Sequence, residues 1–413
     1  MNAIDRRRLR ILYHHRIAAS DGMRVHVTEV VSALREQGHL VRIVGPGGAA
    51  AEQGAGPGGP LERAADRLRQ RLPSWAFEVL ELAYNVPAYL RLARAARAFE
   101  PDVLYERHNL FLLAGLWLRA RRGLPMLLEV NAPLAEERAA LGQLQLRRLG
   151  ELCQGALWRG ADIVLPVTEV LAGLVRQAGV PASAIRVIPN GANPAHRHTD
   201  GHAAAIRKRL GLGPEALVLG FVGFVRPWHG VGWAVEAMAD LPNSAHLVVV
   251  GDGPALPRLM ARAIELGICE RVHFVGRVEH DEVGAYMRAF DVALQTASVP
   301  YASPLKLFEY MALGRAVLAP DQPNIREVLL DGVNALLFEP ACEAAFRSAL
   351  ARLCSDGQLR ARLGAEAAAT LRQRELTWAG NAERITGLAR GLLRGASSRP
   401  RTRNVAAQDR PVP

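Results

Sequence analysis

Short apolar runs alternate with longer stretches of helical periodicity along almost the whole chain. "RILYHH", "HLVRIVG", "PDVLYER", "LPMLLEVN", "ADIVLPVT" and "IRVIPNG" read as strands. Between the first two lies "VHVTEVVSALREQG", an amphipathic helix ending at Gly38. A second series opens with "ALVLGFVG" and continues through "AHLVVVGDG", "RVHFVGRV", "DVALQT" and "RAVLAP". Strands alternating with helices predict parallel sheets joined by crossover helices. The run "LFLLAGLWL" (Leu110 to Leu118) is too short to span a bilayer and predicts a buried helix.

Two such series predict an α/β protein of two Rossmann-like domains. Their parallel sheets face across a cleft, and ligands bind beyond the carboxyl ends of the strands. A length of 413 residues agrees with two cores rather than one. The turn-rich "PNGANP" places the hinge near Asn190 to Pro194, giving domains 1–193 and 194–375. A last helix, about 376–395, is expected to cross back onto the first domain. The Arg/Pro/Ser-rich stretch 396–413 reads as a disordered tail, and "GPGGAAAEQGAGPGGP" (Gly45 to Pro60) as a flexible loop.

Composition narrows the class. Half the residues are hydrophobic, as in a globular protein. The first fifteen residues hold no apolar h-region, so no signal peptide is expected. Four well-separated cysteines without a CxxC pair read as reduced thiols in a cytoplasmic protein. No Asp-x-Asp pair or Cys/His cluster appears, so no metal and no cofactor is expected. The net charge of +11 calls for an anionic partner. Nucleic acid is the weakest choice, because the arginines are dispersed and no nucleic-acid motif is present. Only two of the 51 basic residues are lysines, Lys208 and Lys306. Where charge alone suffices arginine has taken over, so a retained lysine is either chance or a site that needs a compact ammonium on a flexible stem.

The segments "FVGFVRPWHGV", "LVVVGDGP", "VHFVGRV", "SPLKLFEYMALGRAVLAPD" and "DGVNALLFEP", with "DGMRVHVTEVVSALREQGHLVRIV" and "RVIPNGAN" before them, form an ordered set. It resembles the glycosyltransferases of family 4, which have the GT-B fold, over roughly residues 10 to 390. The resemblance implies transfer of a sugar from a nucleoside diphosphate sugar, with retention at the anomeric carbon. The acceptor would be a glycan or a lipid-linked acceptor, in polysaccharide or glycolipid synthesis.

The same resemblance assigns residues. Arg226 would face the donor diphosphate. The family's accompanying lysine is replaced by His229, and Lys306 from another loop would supply the missing charge. Ser303, Pro304, Leu305 and Lys306 lead into a helix whose first turn suits a diphosphate. Glu309 would accept hydrogen bonds from the ribose hydroxyls. The family's first glutamate, eight positions earlier, is Tyr301 here. Arg277 and Val278 would meet the base through their backbone. Gly22 would let the first domain approach the donor phosphates.

On the acceptor side the candidates are Glu106, Arg107, Glu129 and Asn131. Asn131 stands where many relatives carry a histidine. Glu129 is open to two readings, a base or a buried paired carboxylate. The basic, aromatic-bearing segment Leu61 to Phe99 is likewise open, between a surface for anionic membrane and ordinary core-packed helices. Competing functions are a nucleotide-sugar-binding subunit without catalysis, favoured by Tyr301 and Asn131, and a GT-B epimerase.

Overall fold

The computed structural model describes residues 7–16, 22–46, 72–193 and 200–397. Two all-parallel sheets dominate it. The first has the order β2-β1-β3-β4-β5, with β1 Arg10–His14, β2 Leu40–Val44, β3 Val103–Arg107, β4 Met126–Val130 and β5 Ile163–Pro166. The second has the order β11-β10-β9-β6-β7-β8. Its strands are β6 Leu217–Val222, β7 Ala245–Val250, β8 Val272–Gly276, β9 Val292–Leu294, β10 Ala316–Pro320 and β11 Leu336–Phe338.

The strands are mostly apolar because both faces of each sheet are covered, with charged exceptions such as Glu106, Arg107 and Glu129 towards their carboxyl ends. β3 and β4 are buried at every position. One face of the first sheet packs on the helices Asn85–Phe99, Ala114–Arg122, Arg147–Gly160 and Glu169–Gln177, through Leu92, Leu118, Trp158 and Leu171. The other face is covered by the helices Gly22–Glu36 and Trp378–Ser397. Val30, Leu34, Trp378 and Ile385 close that layer. The last helix thus lies against the first sheet although it follows the second in sequence.

The chain passes between the sheets twice, and the passages touch. The Ala192 N–H donates to Leu376 O, and Trp378 N–H donates to Ala192 O, both at 3.2 Å. Gly191 lies so near that a Cβ there would stand 2.6 Å from the Thr377 carbonyl carbon. Only glycine fits, since the obstacle is backbone.

Three local expectations change. "IRVIPNG" is not a strand. Arg186 and Ile188 donate to Val164 O and Pro166 O at 3.0 Å, but the run then reaches Pro189, which has no N–H to give. In "LFLLAGLWL" the helix starts only at Ala114, because Phe111 takes a left-handed turn (φ 64°) before it. Leu110 to Leu112 are buried, whereas Trp117 is exposed. The last helix runs to Ser397, two residues into the expected tail. The rest of that tail, and nearly all of the expected loop after Gly45, lie outside the described residues.

Candidate active site

The carboxyl end of β6 and the loop after it lie against the start of the helix Leu305–Ala312. Pro304 precedes its first turn in extended conformation, and no side chain caps it. Lys306 is the second residue of this helix. As a whole it is only partly buried, but its ammonium reaches inward, 3.8 Å from the centre of the Phe221 ring. A Cβ on Gly223, in the loop after β6, would stand 3.4 Å from Nζ. Loss of water pushes the Lys306 pKa down to about 7, and nearby Glu309 opposes that only in part.

Arg226 lies in the same loop, exposed, its guanidinium 5.0 Å from the Trp228 ring and 5.1 Å from that of Phe224. These stacks leave the fork's edge available to an anion. His229 feels both cations. Burial, then the charge on Lys306, then that on Arg226 bring its pKa to about 4, so its imidazole is neutral. Its carbonyl accepts from the Thr296 hydroxyl. Arg277 and Val278 follow β8 directly, Arg277 exposed and Val278 packed on the core. Gly22 opens the helix Gly22–Glu36 in the first half.

Among the candidates of the first sheet, the geometry corrects two placements. Glu106 does not face the rim. It is fully buried and bonded to His14 Nδ1 at 2.5 Å. The helix Ala114–Arg122 lies on it so closely that a Cβ on Gly115 would fall 2.0 Å from Glu106 Oε2. Arg107 is also buried rather than open to an acceptor. It pairs with Glu129 and donates to His26 Nδ1 at 2.9 Å. Glu129 takes further bonds from Tyr105 Oη at 2.7 Å and Asn131 Nδ2 at 2.5 Å. Burial pushes the Glu129 carboxyl up, but His26, Arg107, Tyr105 and Asn131 together outweigh it and hold the pKa below the ordinary value. Of the two readings of Glu129, the geometry is that of a buried paired carboxylate. Asn131 remains partly exposed at the end of β4.

Some neighbours were not anticipated. Phe221 under the lysine and His26 beside Arg107 are ordinary strand and helix residues in the sequence. Only their spacing from Arg226 and Gly22 could have singled them out. Tyr301 turns its phenol toward Glu137 in the first half, and burial with that carboxylate raises its pKa far above the usual value. Among the described residues, no group of three or more His, Cys, Asp or Glu is placed to hold a metal ion.

Residues 216–356 match the family "Glycosyl transferases group 1", and residues 21–191 match "Glycosyl transferase 4-like domain". A D-inositol 3-phosphate glycosyltransferase from Xylanimonas cellulosilytica is 29% identical over 374 residues, 85% of this chain and 88% of that protein. A protein of the same name from Mycobacterium sp. (strain KMS) is 30% identical over 338 residues, 77% of this chain and 74% of the other. Anabaena HepE, solved in complex with UDP and glucose, superposes with a TM-score of 0.69, covering 92% of this chain and 99% of that one. At 19% identity, that likeness is one of fold.

Replacing Glu129 with alanine would leave the Arg107 guanidinium buried without its carboxylate. We expect Glu129→Ala to lose about 3–5 kcal/mol of stability in urea denaturation. A variant as stable as the parent but unable to turn over would instead make Glu129 a participant in the chemistry.

Proposed function

Because the chain belongs to the family 4 glycosyltransferases and has their GT-B fold, we propose that it moves a sugar from a nucleoside diphosphate sugar to a glycan or lipid-linked acceptor, retaining the anomeric configuration. The observation that carries the donor assignment is Lys306: an ammonium held at the mouth of a helix, across a loop from Arg226. A departing diphosphate gains negative charge as the glycosidic bond breaks. Oriented positive groups that meet that charge lower the barrier.

In this reading Lys306, Arg226 and the first-turn N–H groups of Leu305 and Lys306 hold the diphosphate, with Ser303 and Pro304 leading the chain into that turn. Glu309, one turn into the helix, accepts from the ribose hydroxyls. Arg277 and Val278 offer backbone to the base, and Gly22 closes from the other side. Asn131 orients an acceptor hydroxyl. A retaining transfer on one face uses the leaving phosphate oxygen as the base, so the engagement of Glu129 by Arg107 is no obstacle. No metal enters the scheme, since the cations do the neutralising. The binding-subunit alternative differs in one respect, the absence of turnover.

Donor hydrolysis and transfer, screened over nucleoside diphosphate sugars with and without excess EDTA, test the proposal. We expect turnover with one class of donor, insensitive to chelation. Binding without turnover would support the subunit reading, and activity restored only by a divalent cation would overturn the metal-free scheme.

Lys306 supplies a second test. At pH 8 an ammonium of pKa about 7 is mostly neutral. A diphosphate beside it favours the charged form, so binding should take up close to one proton. Calorimetry of nucleoside diphosphates in buffers of different ionisation enthalpy reads this directly. The uptake should vanish in Lys306→Met, and a buffer-independent heat in the parent would remove Lys306 from the anion site.

We further propose that the face of helices Ser74–Ala83 and Asn85–Phe99 rests on an anionic membrane. No helix among the described residues is long and apolar enough to cross one. Trp75, Val79, Leu80, Val86 and Leu90 are exposed on these helices, with Arg94 and Arg97 near them in sequence and also exposed. Residues 61–71 of the basic segment lie outside the described residues. Sedimentation with anionic vesicles should be strong and fall with salt, and with neutral vesicles weak. Equal or absent binding to both would return these helices to a purely structural role.

A further inference from the structure

The loop Tyr301 to Pro304 delivers Lys306 to the site, yet much of what holds it belongs to the other half of the molecule. Its three successive carbonyls are each accounted for. Tyr301 O accepts from Thr168 Oγ1 at 3.0 Å, Ala302 O from Asn324 Nδ2 at 2.7 Å, and Ser303 O from Asn190 Nδ2 at 2.5 Å. Only Asn324 is in the second half. Asn190 grips a second time, its backbone N–H donating to Ser303 Oγ at 3.1 Å. The side chains on either side of the loop repeat the pattern. Tyr301 packs on the core cluster beneath β3 and β4, and Leu305, next to Lys306, packs on the cluster that holds Trp378 and Ile385.

Thr168 lies two residues beyond β5, and Asn190 ends the segment that runs beside β5. Both donors therefore sit on one edge of the first sheet, and both bonds break together if the halves part. A further fastening lies alongside. Glu327, after β10, accepts from the Glu169 and Val170 N–H groups at 2.9 and 3.3 Å, at the start of the helix that Thr168 caps. Asn190 is buried and stands beside His26, which continues to Arg107 and Glu129. Polar side chains thus run from the ends of β3 and β4 to the loop that carries the lysine.

We propose that Thr168 and Asn190 are positioning residues for the transfer reaction: they hold the Tyr301–Pro304 loop in register, so that Lys306 meets the leaving diphosphate only when the two halves are docked. The proposal rests on the reading of Lys306 given above. It makes the donor site conditional on the half that faces the acceptor, and it predicts that unproductive donor hydrolysis is restrained in an open molecule.

A double-mutant cycle tests it. Asn190→Ala should lower kcat/KM for transfer about tenfold, and Thr168→Val by a similar factor, the second variant serving if the first folds poorly. In a Lys306→Met background each should change the residual rate less than twofold, because the group they position is gone. A merely structural role predicts that the same factor persists in that background, and this additivity would overturn the proposal. So would parental kcat/KM in both single variants. If Lys306→Met alone behaves as the parent, the reading of the donor site fails first, and the proposal with it; that outcome is distinct from an impaired Lys306→Met with additive partners. Melting temperatures of all five variants separate loss of fold from loss of rate.

Discussion

The two passages of chain between the sheets, joined by hydrogen bonds at Ala192 and flattened against each other at Gly191, are the constraint on which the rest depends. Two crossings fix a direction as well as a distance. With one strand of connection the sheets could twist freely. With two in contact, motion is confined to a hinge about a single line. Opening of the cleft is therefore expected to be hinge-like, pivoting about these two passages.

Arginine and lysine divide the work in a manner that follows from their hydration. Several arginines form pairs at or near the surface, such as Arg262 with Glu236 or Arg347 with Asp240, where they contribute little each. Arg107 is buried, which its planar fork tolerates because Glu129 and His26 satisfy it. The single ammonium in the cleft stands apart. A compact charge over an aromatic face can lose its proton near neutrality, which a guanidinium cannot do.

Much of this architecture is legible in the sequence. The apolar runs locate ten of the eleven strands because double-sided burial leaves an uninterrupted signal. β11 was passed over, since Leu336–Phe338 is only three residues long. "IRVIPNG" has the composition of a strand, and what it lacks is a donor at Pro189, a matter of pairing rather than propensity. The helix entrance at Pro304 is equally plain. The fate of the carboxylates is not. Glu106 and Glu129 end neighbouring strands and look alike along the chain. One is sealed because Gly115 lets a helix descend on it, and the other because a guanidinium and a phenol converge from β3. Contacts between residues more than a hundred positions apart, such as Asn190 with Ser303, leave no periodic trace at all.

The last helix completes the layer that begins with Gly22–Glu36, so the first domain is discontinuous and the second is an insertion within it. During synthesis on the ribosome the first sheet emerges early, with Val30, Leu34 and their neighbours waiting for Trp378 and Ile385. The inserted half, whose strands and covering helices are contiguous, can mature meanwhile. The first half closes only when the final turns leave the exit tunnel. A chain that stops short of them would keep a finished second half beside a sheet with one bare side, a target for quality control rather than a partial enzyme.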